Sequence, residues 1–103
     1  VYIETSAGLL VILGCAHSGV VNTLRHIQHL TGGMHIHTVV GGLHLESASP
    51  ERMNETIAAL KSFAPERLGV CHCTGFAATA RLWNAFPGRC FQAHAGLKMD
   101  FAK

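Results

Sequence analysis

Val11-Ile12-Leu13-Gly14-Cys15-Ala16-His17 is an apolar, β-branched run that closes on glycine and then delivers a histidine. The same grammar returns twice, as Thr38-Val39-Val40-Gly41-Gly42-Leu43-His44 and as Leu68-Gly69-Val70-Cys71-His72-Cys73. Each run reads as a short buried strand, and a helix-compatible stretch follows each one. Strands alternating with helices argue for an α/β layered fold. In open α/β sheets, ligands bind outside the carboxyl ends of the strands. Neighbouring strands lie about 4.8 Å apart, so imidazoles delivered by three of them to one edge can converge. Neutral imidazole is the commonest metal ligand among side chains. The pattern reads as part of a metal site.

Around these runs the rest of the chain falls into place. Val1–Thr5 and Leu9–Leu13 read as a hairpin linked by Ser6-Ala7-Gly8. From Ser18 the period changes to helical, with Val20, Leu24, Ile27 and Thr31 on one face, and Gly32-Gly33 stops the helix. His35–Val40 is the next strand. Ser49-Pro50-Glu51 combines a capping serine, a proline at the first helical position and an acid in the first turn. Met53, Ile57 and Leu60 then make a core stripe up to Pro65, and Arg67–Cys71 is a strand. Phe76, Ala80 and Trp83 mark the inner face expected of a third helix, ended by Pro87-Gly88. Cys90–Ala95 and Leu97–Phe101 read as closing strands. The predicted order is β-β-α-β-α-β-α-β(-β).

The 103 residues allow one domain, 49% hydrophobic and only 14% charged. A domain this small buries only about two-thirds of its unfolded surface, so so apolar a composition implies a partner or a larger fold. The net charge is +2 and the basic residues are scattered, which gives no nucleic-acid stripe and no polybasic membrane patch. No apolar run approaches the ~18 residues of a membrane span. The first residue is Val1 and not methionine, which leaves a processed N-terminus open. Cys71 and Cys73 are too close for an easy mutual disulfide, and Cys15 and Cys71 sit at strand ends. Reduced thiols in the cytoplasm are therefore expected. Redox chemistry at Cys71 and Cys73 is the weakest reading, because redox pairs use Cys-x-x-Cys spacing.

A single histidine after a strand is more often a structural hydrogen-bonder than a ligand; repetition of the context sets His17, His44 and His72 apart. Cys15, two residues before His17, is the better ligand of the strand-end thiols. Cys73 precedes Thr74-Gly75 at a helix start, with no evident partner. His26, His29 and His94 read as solvated. His35 and His37 alternate on one strand without a third ligand. Hydrolytic metal sites usually add carboxylates or further histidines and an open water position. Glu46 is the one acid near any of the three strand ends, so the set reads as half a site.

Gly14-Cys15-Ala16-His17-Ser18-Gly19-Val20-Val21-Asn22-Thr23-Leu24, Gly41-Gly42-Leu43-His44-Leu45 and Cys71-His72-Cys73-Thr74-Gly75 closely resemble the C-terminal half of the metallo-β-lactamase-fold metal-dependent hydrolases. The similar branch is that of the dihydropterin-ribofuranosylaminobenzene-phosphate synthases, and the resemblance runs from Val1 to Phe101. It implies residues 1–103 as one β-α half of an αββα sandwich, with the metal between two halves. The histidine-rich signature of the other half (two histidines one residue apart, then Asp-His) is absent, since Thr38-Val39 follows His35-Ile36-His37. By resemblance, His17 is a metal ligand or holds one, Cys15 is its alternative, and His72 is the last ligand histidine. His44 is a ligand or a substrate-facing acid/base, and Ser18 and Thr74 are polar contacts at the mouth. The implied cofactor is a divalent metal, zinc first, then manganese or iron. The implied partners are a small-molecule substrate, phosphorylated or not, and the N-terminal half of the fold or a second copy. The expected role is part of a metal-dependent hydrolase that is inactive alone. The alternative is a non-catalytic, dimerising module whose histidines are structural.

Overall fold

The computed structural model describes residues 1–101. Its elements are β1 (Tyr2–Thr5), β2 (Gly8–Leu13), α1 (Val20–Leu30), β3 (Ile36–Gly42), α2 (Pro50–Phe63), β4 (Arg67–Cys71), a 3₁₀ turn (His72–Thr74), α3 (Phe76–Ala85) and β5 (Cys90–Gln92). The five strands form one mixed sheet in sequential order. β1 and β2 are an antiparallel hairpin, and β2 to β5 run parallel. Three helices therefore return the chain across the sheet, and the carboxyl ends of β2, β3 and β4 lie along one edge.

The register explains the burial. Val11, Val39, Leu68 and Cys90 are paired in a row across β2 to β5. All four are buried in one core with Leu24, Ile27, Met53, Leu60 and Leu82 of the helices. The adjacent row, Ile12, Val40, Gly69 and Phe91, faces the other way. Ile12 there is 41% exposed, and Ile3 and Val1 beside it are exposed too. One face of the sheet is thus sealed by helices while the other presents apolar side chains to solvent. The pairing of β2 with β3 shifts between Leu9 and Leu10, so that Leu9 meets Ile36 and Leu10 meets Thr38. The shift lets both Ile36 and Val39, three residues apart, point into the core.

α2 starts as its sequence dictates: the Ser49 side chain accepts a hydrogen bond from the Arg52 N–H, and Pro50 occupies the first turn. Two expectations need correction. On α3, Phe76, Ala80 and Trp83 face solvent, Phe76 being 91% exposed. The buried residues are Ala78 and Leu82. The phase is set upstream: Thr74 is buried and tied down by hydrogen bonds, and Ala78, Leu82 and Phe86 follow it at intervals of four on the same side. The second correction is at the C-terminus. β5 ends at Gln92, because Gly96 adopts a left-handed φ of 88° and Leu97 donates back to the His94 carbonyl, turning the chain. Leu97–Phe101 is not a strand; Phe101 instead meets the His37 ring edge-on at 6.1 Å. Among the described residues, no helix is long and apolar enough to cross a membrane.

Candidate metal centre

At each of the three strand ends the backbone turns through a conformation that side chains resist. Ala16, His44 and His72 have φ of 55°, 54° and 55°, although none is glycine. Left-handed non-glycine residues cost free energy and persist where surrounding structure holds them, often at functional sites. Here the holding groups are visible. Gly42 N–H donates to the Gly14 carbonyl at 3.1 Å, and Leu45 and Glu46 N–H groups both donate to the Cys73 carbonyl. Leu43 N–H donates to Thr74 Oγ1 at 3.0 Å, and that hydroxyl donates to the Cys71 carbonyl. The three loops are therefore one hydrogen-bonded unit.

Closure of that unit depends on Gly42. A Cβ there would lie 2.6 Å from the Gly14 carbonyl oxygen and 2.9 Å from Cys73 Sγ. Absence of that Cβ lets the ends of β2 and β4 approach across the end of β3. Cys15 Sγ then lies 3.0 Å from His72 Nε2. Cys73 Sγ donates to the Cys15 carbonyl at 3.3 Å. One ligand atom from each of Cys15, His72 and Cys73 falls within 4.8 Å of the others, a spacing that allows a shared metal ion. Desolvation raises the Cys15 thiol above its ordinary range, and the neighbouring Cys73 adds to the effect.

His17 and His44 form a neighbouring pair, with ring centroids 4.5 Å apart and planes tilted by 42°. Both are exposed. His44 also lines a cavity of about 160 Å³ with Glu46, Ser47, Arg52 and Cys73, which puts this pair next to the thiol–imidazole group. Ser18 is exposed and its carbonyl accepts from Asn22 Nδ2. Thr74 is fully buried, with its hydroxyl engaged both as donor and as acceptor, so it braces the loops from beneath. Cys73 is the member of this group that the sequence pattern does not single out. Its partner, Cys15, lies 58 positions away, and only the strand order brings the two together.

The remaining thiols and histidines stand apart. Cys90 is buried in the core, and burial pushes its thiol up to about 11. His35 Nε2 meets Glu66 at 2.7 Å at the opposite, amino-terminal end of β3. His26 and His29 are exposed on α1.

No family model matches the chain. A curated relative from Methanocaldococcus jannaschii, a 7,8-dihydropterin-6-methyl-4-(β-D-ribofuranosyl)-aminobenzene-5'-phosphate synthase, is 34% identical over 99 residues. That alignment takes in 96% of this chain but 34% of the relative, so the chain spans about a third of the relative's length. A crystal structure of a metal-dependent hydrolase of the β-lactamase superfamily superposes with a TM-score of 0.91 at 34% identity. It matches 99% of this chain and 40% of its own. Over nearly the whole of its length the chain therefore has the fold of that β-lactamase-superfamily hydrolase, and in sequence it is similar both to that protein and to the dihydropterin-ribofuranosylaminobenzene-phosphate synthase.

Proposed function

We propose that residues 1–103 are the C-terminal half-domain of a metal-dependent hydrolase of this superfamily, supplying part of a divalent-metal site and inactive without the rest of the fold. The observation that carries the reading is the approach of Cys15, His72 and Cys73 to within one ligand sphere. Two sulfurs and one imidazole nitrogen suit zinc better than manganese, which prefers oxygen donors, and iron is the other candidate. When bound, the ion would lower the pKa of its water and polarise a carbonyl or phosphoryl oxygen. Cys15, His72 and Cys73 would hold it. His17, tilted against His44 beside this group, would be the further ligand from this half. His44, exposed at the mouth, exchanges a proton with the substrate. Ser18 offers a hydroxyl there, and Thr74 acts by fixing the loop that carries His44.

The apolar sheet face with Ile3 and Ile12 is the surface on which the N-terminal half, or a second copy, packs. That partner brings the carboxylate and histidine ligands this chain lacks. The substrate is a small phosphorylated molecule. Free cysteines fit a reducing, cytoplasmic setting. If the histidines are merely structural, the same open face serves a dimerising module and the metal affinity disappears from the account.

Titration calorimetry with zinc separates the two. Loss of even an outer partner of a metal ligand costs about 10–100-fold in affinity, so Cys15→Ala and His72→Ala should each cost at least that much. Wild-type affinity in both variants would overturn the reading.

A further inference from the structure

A cleft near the metal edge lies between α1 and α2. It is a cleft of about 260 Å³ whose lining includes Gly19, Asn22, Arg25, Arg52, Glu55 and Thr56. We propose that this cleft seats a phosphate monoester, the anionic end of the small molecule whose other end reaches the metal edge. The proposal rests on the functional reading above for that second end only; the cleft's own chemistry argues for the anion.

Two guanidinium groups, one from each helix, line the cleft against one carboxylate, Glu55. Among the described residues the single ion pair is that of His35 with Glu66, so neither Arg25 nor Arg52 is in direct contact with a carboxylate. Paired guanidinium groups present forked donors matched to phosphate oxygens. The floor adds to this. α1 begins at Gly19 with no side-chain cap and no acid in its first turn. The first turn of α1, from Gly19 to Asn22, lines the same opening, so the positive end of its dipole lies beside it. Helix termini alone would be unremarkable; here the terminus and two arginines from different helices share one concavity.

Arg52 also fixes the direction in which a ligand extends. It lines both this cleft and the smaller cavity shared by His44, Glu46 and Cys73. A phosphate held between Arg25 and Arg52 leaves the remainder of the molecule pointing past Arg52 towards His44 and Cys73. Glu46, on that second cavity, repels an anion placed at the metal edge itself and favours the phosphate at the far end.

The test is a two-dimensional ¹⁵N–¹H titration of the chelator-treated chain with inorganic phosphate, at fixed ionic strength against chloride. Saturable shifts are expected at Gly19, Val21, Asn22 and the amides around Arg52. Arg25→Gln and Arg52→Gln should each weaken binding about tenfold, the loss of one charge-assisted contact. Glu55→Gln should tighten it. All three side chains are on the surface, and an otherwise unchanged spectrum verifies folding. Absence of saturable shifts, an equal response to chloride, or an unchanged affinity in both arginine variants would overturn the proposal. Because the metal is chelated away, phosphate binding in a chain that takes no zinc would sink the metal reading and leave this one standing. Zinc binding without phosphate binding would do the reverse.

Discussion

Cys15 Sγ lies 3.0 Å from His72 Nε2, although the residues are 57 positions apart and follow strands that are not neighbours. β3 stands between them, and the contact exists because β3 ends in glycine. Sheet order places the two loops on either side of Gly42, and the missing Cβ lets them meet.

Gly42→Ala should therefore damage the site more than the fold. The new methyl collides with a backbone oxygen and with Cys73 Sγ, and forced overpacking costs about 1–3 kcal/mol. Urea unfolding should show that loss, and zinc affinity should fall further than global stability accounts for. An alanine variant with unimpaired affinity would show that the loops do not need this approach.

The reversed phase of α3 makes a pair of stability predictions. Leu82 is fully buried, so Leu82→Ala should cost about 2–5 kcal/mol. Trp83, half-exposed next to it, should cost under about 1 kcal/mol when replaced by alanine. Chemical denaturation of both variants checks this, and the opposite ranking would restore the sequence-based face.

The His35–Glu66 pair gives a pH dependence. Desolvation raises the Glu66 carboxyl, but the hydrogen bond and charge of His35 outweigh it and hold the group below its ordinary range. A depressed carboxyl contributes stability above its unfolded pKa of about 4.3 and loses it as pH falls through the lower folded value. Both partners are half-exposed, so the contribution is at most about 1 kcal/mol. Comparison of wild type with Glu66→Gln by urea midpoint should show a difference at neutral pH that vanishes in acid. A difference that grows in acid would contradict the assignment.

The thiols divide by environment. Cys90, with its thiol pushed up to about 11 by burial, should resist iodoacetamide at pH 8 in the native chain and react once unfolded. Zinc should protect Cys15 and Cys73 but leave Cys71 at its metal-free rate. Mass spectrometry of peptides reads all four sites.

The strand runs and the Ser49-Pro50 start were legible because burial period and capping chemistry are local. Val11, Val39 and Leu68 announce strands without reference to anything distant. The face of α3 was not legible, since Phe76, Ala80 and Trp83 form a better apolar stripe than Ala78 and Leu82. Thr74, fixed from the neighbouring loop, decides between them. At the site, the strand-end histidines were visible as a pattern, with Cys15 expected as the alternative to His17, and the structure brings Cys15 and His72 into contact. The nearness of Cys73 to this pair was not visible, because its place beside Cys15 depends on a carbonyl hydrogen bond across the sheet edge. The bulge between β2 and β3 escaped for the same reason: register belongs to two strands, and one sequence run does not state it.

The most direct measurement is the absorption spectrum of the chain loaded with cobalt(II) in place of zinc. If Cys15, Cys73 and His72 bind one ion together, a thiolate-to-cobalt charge-transfer band should appear in the near-ultraviolet. Cys15→Ser and Cys73→Ser should each remove roughly half of its intensity, one of two thiolates apiece, and His72→Ala should shift the visible bands. A cobalt complex without thiolate absorption, or one unchanged by both cysteine variants, would contradict the account.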